Sequence, residues 1–422
     1  MNNLISLSND YNTIGQPKSV VMSKEEKFDK FVFYACVIDY LFLPYVWFVS
    51  IPYTMPLLFY WIVRRNNILK KTKEYKMFLL MITLMGISTI FSFIYAPIYI
   101  YKNIVYLIFF TTMFLTYFMF SYYINRYPFN IKHFLIFFIL FNIVLVIFFN
   151  IDKSFYHSIK LIFNQRSGIF INDNLYEKFV GYRYAFIWMD PNNIAYVLNA
   201  IVLYLWCNEK TSFFVKVFSF VSLLYILIAC MSNGGFLSLG IIVGSYILIE
   251  VLHLLKGKYK IRVQIKPLNL FLFIITVCAL VYVIPQIPKY LETGIAHESL
   301  DRIRNNSGDS RFEMWQYTIK NVNFLEYIFT GRGGVTLVND TIYNPHNGHF
   351  IWILGYGLIA YYIFMYLIFR KRSVTSLKKY IWILPILFGF TINVMIGEIK
   401  LMGIVMLLVA CSTSPKYLNR KT

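Results

Sequence analysis

Charge is scarce in this chain, and acid is scarcer than base. Among 422 residues there are 20 Asp and Glu against 40 Lys and Arg, so only 14% are charged while 58% are hydrophobic and 20% aromatic. A soluble chain of this length would fold as roughly two or three domains. At a mean hydropathy of +0.58 the polar residues cannot cover such domains, which excludes them. Cysteine is sparse as well. Cys36, Cys207, Cys230, Cys278 and Cys411 lie mostly inside apolar runs with no C-x-x-C spacing, so no disulfide framework is present and they read as small buried hydrophobes. A small-residue cleavage site is missing from the first apolar run, which opens near Phe31 behind a polar leader. The first helix is therefore expected to serve as its own uncleaved insertion signal. Finally, the net charge of +20 forms no basic stripe: the lysines and arginines fall in short clusters between apolar runs, a pattern that orients a membrane protein and argues against nucleic acid as a partner.

What is abundant is apolar sequence in runs near the ~20 residues that cross a bilayer, so the expected fold is an all-α polytopic membrane protein in a lipid bilayer. Residues 1–30 carry Lys18, Lys24, Lys27 and Lys30 and are expected in the cytoplasm. Residues 31–285 hold the first nine spans. The run 31–63 is broken by Pro44, Pro52 and Pro56, which suits two short helices in a hairpin. Asp39, within it, is either a carboxylate turned to the bundle interior and bonded to a neighbouring hydroxyl or amide, or a group that handles substrate.

The cluster Arg64, Arg65, Lys70, Lys71, Lys73 and Lys76 anchors the count on the cytoplasmic side. From there 77–95 crosses outward, 104–123 returns, and 133–149 crosses outward again to an external loop at 150–182 with no sustained apolar period. Asp190 followed by Pro191 has the form of a cap and first helical residue, so a helix is expected to run inward from Pro191, its positive end favouring an anion at the outer leaflet. The run 213–231 returns outward to a tight turn at Ser232-Asn233-Gly234-Gly235; 236–255 and 268–285 follow, on either side of a basic loop. Residues 286–345 make a large external loop, 346–414 the last three spans at 350–369, 380–396 and from Leu401, with Gly397-Glu398-Ile399-Lys400 as a turn, and 415–422 a cytoplasmic tail. The count is about twelve spans, both ends inside.

Chemistry-bearing residues collect between Gly308 and Gly355. Arg311, Trp315 and Ile319 have i, i+4 spacing and share one face of a helix capped by Asp309 or Ser310. Such a face either grips a phosphate with the guanidinium fork while the ring packs on sugar or lipid, or is a surface helix with its arginine paired to an acid and its tryptophan at the membrane boundary. Gly331-Arg332-Gly333-Gly334 either lets main-chain amides approach a pyrophosphate or is simply a turn. His346 follows a proline, precedes Asn347 and opens an apolar run, a position from which an imidazole could take a proton from a sugar hydroxyl while the amide orients it. His349 lies one turn further on and either assists or makes a contact at the boundary. Two histidines at that spacing with no acidic partner make a poor metal site, so no metal and no other cofactor is expected.

With these residues the chain resembles the O-antigen polymerase and O-antigen ligase superfamily of bacterial envelopes over nearly its whole length. Arg311, Trp315, Gly331, Gly333, His346, Asn347 and Gly355 correspond to that pattern, and Asp190-Pro191-Asn192 is similar to its Pro-Asn helix start. The resemblance implies a metal-independent glycosyltransferase of GT-C-type architecture in the bacterial inner membrane, acting at the periplasmic face on undecaprenyl-diphosphate-linked oligosaccharide, with a chain-length regulator membrane protein as a further partner. Carried over, Arg311, Arg183 and Arg332 would hold the diphosphate, Asn192, Asn347, Trp315 and His349 would line the site, and His346 would activate the acceptor. Many relatives carry an arginine in the turn where this chain has Asn233, so Arg183 would have to replace it. A polymerase is favoured over a ligase, which differs in its acceptor. A lipid-linked glycan flippase is the alternative of another class; it would be expected to show two related halves and more charge within the spans, and the large loop has no counterpart in the first half.

Overall fold

Ser23 opens the first helix with a reciprocal cap: its hydroxyl accepts from the Glu26 N–H at 3.2 Å while the Glu26 carboxylate accepts from the Ser23 N–H at 2.8 Å. The computed structural model describes residues 23–44, 52–95, 100–163, 183–186, 190–232, 234–240, 243–244, 309–332, 336–338, 341–343, 347–369, 381–392 and 398–414. Helices α1 (Lys24–Leu41), α2 (Met55–Leu69), α3 (Lys73–Tyr95), α4 (Ile100–Arg126), α5 (Ile131–Ile151) and α6 (Lys153–Phe163) come first. They are followed by α7 (Pro191–Asn208) and α8 (Phe213–Cys230). Further on lie α9 (Asp309–Asn321), a 3-10 turn at Phe324–Tyr327, an antiparallel hairpin of β1 (Thr336–Val338) and β2 (Thr341–Tyr343), then α10 (Gly348–Tyr356), α11 (Leu358–Phe369), α12 (Leu384–Ile392) and α13 (Ile399–Thr413).

Among the described residues four stretches are long and apolar enough to cross a membrane: Lys73–Ile94 of α3, Asn103–Arg126 of α4, α5 and α8. They coincide with the expected spans 77–95, 104–123, 133–149 and 213–231, and they keep apolar side chains such as Ile90, Ile94, Val144 and Ile228 on the outside. Helices α7 and α13 do the opposite and are buried along nearly all of their length. Helix α4 packs against α13, α3, α2 and α1, and α7 against α8, α12 and α13. Helix α1 runs antiparallel to α4, because Phe33 stacks on Tyr123 with ring centroids 4.1 Å apart while the Tyr40 hydroxyl meets the Thr116 hydroxyl at 2.7 Å.

Several expectations need correction. Helix α1 begins at Lys24, inside the stretch expected as a leader, because the Ser23 cap outweighs the polarity of the first turn. Arg64 and Arg65, the first residues of the basic cluster, belong to α2, where Arg65 bridges Glu25 and the buried Asp29 of α1. The external loop at 150–182 contains α6, whose apolar residues recur with helical period. The expected single span 350–369 is two helices, α10 and α11, that meet at Gly357 (φ +92°) and pack on each other, with Trp352 and Phe364 stacked at 4.5 Å. At nine and twelve residues they would extend about 14 and 18 Å, each short of the ~30 Å hydrocarbon core. Within 380–396 the described helix is α12, entered through a 3-10 turn. Lys400, expected in a turn, sits in α13 with no exposed side-chain surface, 2.6 Å from Asp39. The run 268–285 lies outside the described residues, as does 236–255 beyond its first turns.

Candidate functional site

Helix α7 starts where its sequence says it should. Asp190 is the cap, its carboxylate accepting from the Asn192 N–H at 2.8 Å, and Pro191 takes the first helical position, where no N–H is needed. The positive end of α7 is thereby met by Asp190 itself, so any anion held here depends on a neighbouring side chain. Arg183 is that neighbour. Its Nε donates to the Cys230 carbonyl at 2.9 Å and its Nη2 to Asn192 Oδ1 at 2.9 Å, while the Ser232 hydroxyl donates to the same Oδ1 at 2.9 Å. The half-buried guanidinium is thus fixed between the start of α7 and the turn that follows α8.

That turn is built to approach α7 closely. Met231 adopts φ +46°, and Ser232 Oγ accepts from the Gly235 N–H at 3.0 Å as the next helix begins. A β-carbon at Gly235 would crowd Ala195, and one at Gly234 would meet the Tyr196 hydroxyl. The preceding residues are anchored too: the Tyr184 N–H donates to the Ala229 carbonyl at 2.8 Å, and the Tyr184 hydroxyl to Asn142 Oδ1 at 3.0 Å.

The second group of residues surrounds the break at Gly357. Asn347 caps α10, its Oδ1 accepting from the His349 and Phe350 N–H groups at 3.0 and 3.2 Å, so its amide oxygen is committed to the helix. The His349 ring lies between Tyr361 of α11 and Thr391 of α12, with Nδ1 2.8 Å from the tyrosine hydroxyl and Nε2 3.3 Å from the threonine hydroxyl. Gly331 is pressed against α10, where a β-carbon would collide with the backbone of Gly355 and Tyr356. Its N–H donates to Ser88 Oγ at 2.9 Å, so this amide does not serve a pyrophosphate; the glycine is needed for close packing. The Arg332 N–H donates to the Leu354 carbonyl at 3.0 Å. Its guanidinium lies over the Tyr327 ring at 5.4 Å and 3.7 Å from the Glu326 carboxylate. Burial pushes the Tyr327 hydroxyl up from its ordinary pKa, against the pull of Arg332.

Helix α12 brings the two groups together. Tyr204 of α7 meets Trp382 and Tyr196 meets Phe388, so α7 and α12 are antiparallel, and Asn192, one turn before Tyr196, is level with the end of α12 that carries Thr391. Arg183 and His349 therefore lie at the same end of the bundle. The sequence singled out neither Tyr361 nor Thr391; a hydroxyl inside an apolar run was the only signal.

Helix α9 carries Arg311 and Trp315 as expected, but it already includes Asp309 and Ser310, so neither is the cap that precedes it. Trp315 is half-buried, with an indole N–H that has no partner among the described residues. Thr318 is fully buried and Ile319 58% exposed, so the side of α9 that packs inward runs along Trp315 and Thr318 while Ile319 faces out. The side chain of Arg311 and the whole of His346 lie outside the described residues, as do Gly333 and Asn233. Among the described residues no group of three or more His, Cys, Asp or Glu could hold a metal ion. No protein-family model matches the chain, and no curated protein matches it.

Proposed function

We propose that this chain is a membrane-embedded glycosyltransferase of GT-C-type architecture with about twelve spans, an O-antigen or related surface-polysaccharide polymerase. It transfers an undecaprenyl-diphosphate-linked glycan onto the non-reducing end of another lipid-linked repeat unit at the periplasmic face of the inner membrane. His346 takes the proton of the acceptor hydroxyl as that oxygen bonds to the anomeric carbon of the donor. The bond from that carbon to the diphosphate breaks, and its electron pair leaves on the diphosphate, which Arg183, Arg311 and Arg332 stabilise without a metal. Asn192, Trp315, Asn347 and His349 position the two glycans, and a chain-length regulator is the expected membrane partner.

One observation carries this proposal. Arg183 donates to the Cys230 carbonyl at 2.9 Å, just before the turn in which the resembled family would carry an arginine, and a guanidinium held beside that turn supports Arg183 as its replacement. The antiparallel pairing of α7 with α12, which sets that guanidinium at the His349 end of the bundle, gives the proposal a single end at which donor and acceptor can meet.

The test is the glycan profile of a deletion strain on a gel. A single repeat unit on lipid A-core is expected for a polymerase; free core with accumulated lipid-linked polymer would make the chain a ligase. His346→Ala should reproduce the deletion at normal protein abundance, and long-chain glycan at wild-type levels would remove His346 from catalysis. The flippase alternative draws on the buried Asp39–Lys400 pair, since charge within a span is a mark of transport. Purified protein in vesicles that moves lipid-linked oligosaccharide across the bilayer without extending it would decide for that alternative.

A further inference from the structure

A groove along α1 shares no residue with the Arg183 and His349 groups. It is an open groove of about 570 Å³, lined by Lys27 and Lys30 and by Phe31, Tyr34, Ile38 and Leu43. The lysines and the apolar residues recur at i, i+3 and i+4, so they form one stripe. Phe31 is 61% exposed, Ile38 44% and Leu43 40%, large apolar side chains that no other described part of the chain covers.

Among the described residues nothing matches the charge of these two lysines. Every acid of the first turns of α1 is engaged elsewhere: Glu25 and Asp29 with Arg65, and Glu26 with the Ser23 N–H. The ammonium groups of Lys27 and Lys30 are exposed and make no hydrogen bond or ion pair with a described residue. Their level is also defined. Because α1 is antiparallel to α4, the lysines lie toward the end where α4 leaves its apolar stretch at Arg126, which is the boundary of a candidate span. From Lys27 to Ile38 the groove follows α1 for about 16 Å, roughly the depth of one leaflet of the ~30 Å hydrocarbon core.

We propose that this groove seats one anionic phospholipid, its phosphate between Lys27 and Lys30 and an acyl chain along Phe31, Ile38 and Leu43. A zwitterionic lipid offers the same chain but carries a cation beside its phosphate, so the lysine pair selects the anionic headgroup. The site is independent of the Arg183 cluster and of any glycan chemistry.

The experiment uses the full chain, equilibrated in micelles with equal amounts of phosphatidylglycerol and phosphatidylcholine, and mass spectrometry of the lipid retained after detergent exchange. Phosphatidylglycerol should be enriched roughly ten- to thirty-fold, the worth of two lysines at a membrane surface. Lys27→Gln with Lys30→Gln should remove the enrichment, whereas Lys70→Gln with Lys71→Gln, a pair of exposed lysines away from the groove, should leave it unchanged. Ala35→Trp, which fills the groove, should lower total retained lipid without changing the melting temperature. Equal retention of the two lipids, undiminished enrichment in the Lys27/Lys30 variant, or enrichment lost equally in both lysine variants would overturn the proposal. Displacement of the lipid by inorganic phosphate alone would do so as well, because it would reduce the site to one for free phosphate.

Discussion

Arg183 holds two acceptors that lie on different elements, the Cys230 carbonyl and Asn192 Oδ1, through two nitrogens of one planar group. Lysine offers a single nitrogen on a longer flexible stem and cannot reproduce both bonds at once. A charge-assisted hydrogen bond is worth about 1.5–3 kcal/mol, so Arg183→Lys should lower glycan extension by roughly ten- to a hundredfold. Extension of lipid-linked repeat units by purified protein checks this, and wild-type activity in the lysine variant would take Arg183 out of the pocket. Of this cluster the sequence made the Asp190 cap, the Pro191 start and the arginine legible, because each has a local signature. It could not reveal that the Cys230 carbonyl meets the arginine or that Ser232 shares its Asn192 acceptor, since those contacts join positions 40 residues or more apart.

Among the elements, the junction of α10 and α11 departs furthest from what hydropathy suggests. Residues 350–369 are apolar throughout, and an apolar run reads the same whether it continues straight or doubles back. The break is made by Gly357 at φ +92°, with its N–H closing α10 on the Ile353 carbonyl at 2.8 Å, and by the Ile359 N–H donating to the Ile328 carbonyl at 3.0 Å. Gly331 packs beside it, with no room for a side chain. Gly331→Ala should therefore cost about 1–3 kcal/mol through overpacking. Gly86→Ala, in α3 where a β-carbon meets nothing within 4 Å, should be neutral or gain up to about 1 kcal/mol. Thermal unfolding in detergent compares the two, and equal Tm values would show that Gly331 is not needed for close packing.

Across the whole molecule, Lys400 and Asp39 join α13 to α1 with neither side chain exposed. Lys400 Nζ also donates to the Asp39, Leu43 and Pro44 carbonyls at 3.1, 2.9 and 2.6 Å, and Asp39 Oδ2 accepts from the Thr54 N–H and hydroxyl at 2.7 and 2.8 Å, which brings the start of α2 into the same junction. Removing one partner strands a buried charge, so Lys400→Met should destabilise the protein by about 3–5 kcal/mol. Adding Asp39→Asn should recover part of the loss, and a single variant that melts with the wild type would mean that the pair contributes nothing. The carboxylate turned inward and bonded to a hydroxyl and an amide was legible at Asp39; its cationic partner was not, because Glu398 and Lys400 read as the polar residues of a turn. By itself the sequence determined that the chain is helical, which stretches suit a membrane, and where α7 begins, since hydropathy and the Asp190-Pro191 cap act over one helix at a time. Only the tertiary structure decided which apolar runs bend, which charges go inside and which distant residues share an end of the bundle, because those depend on backbones and side chains that meet across hundreds of residues, where no local pattern records them.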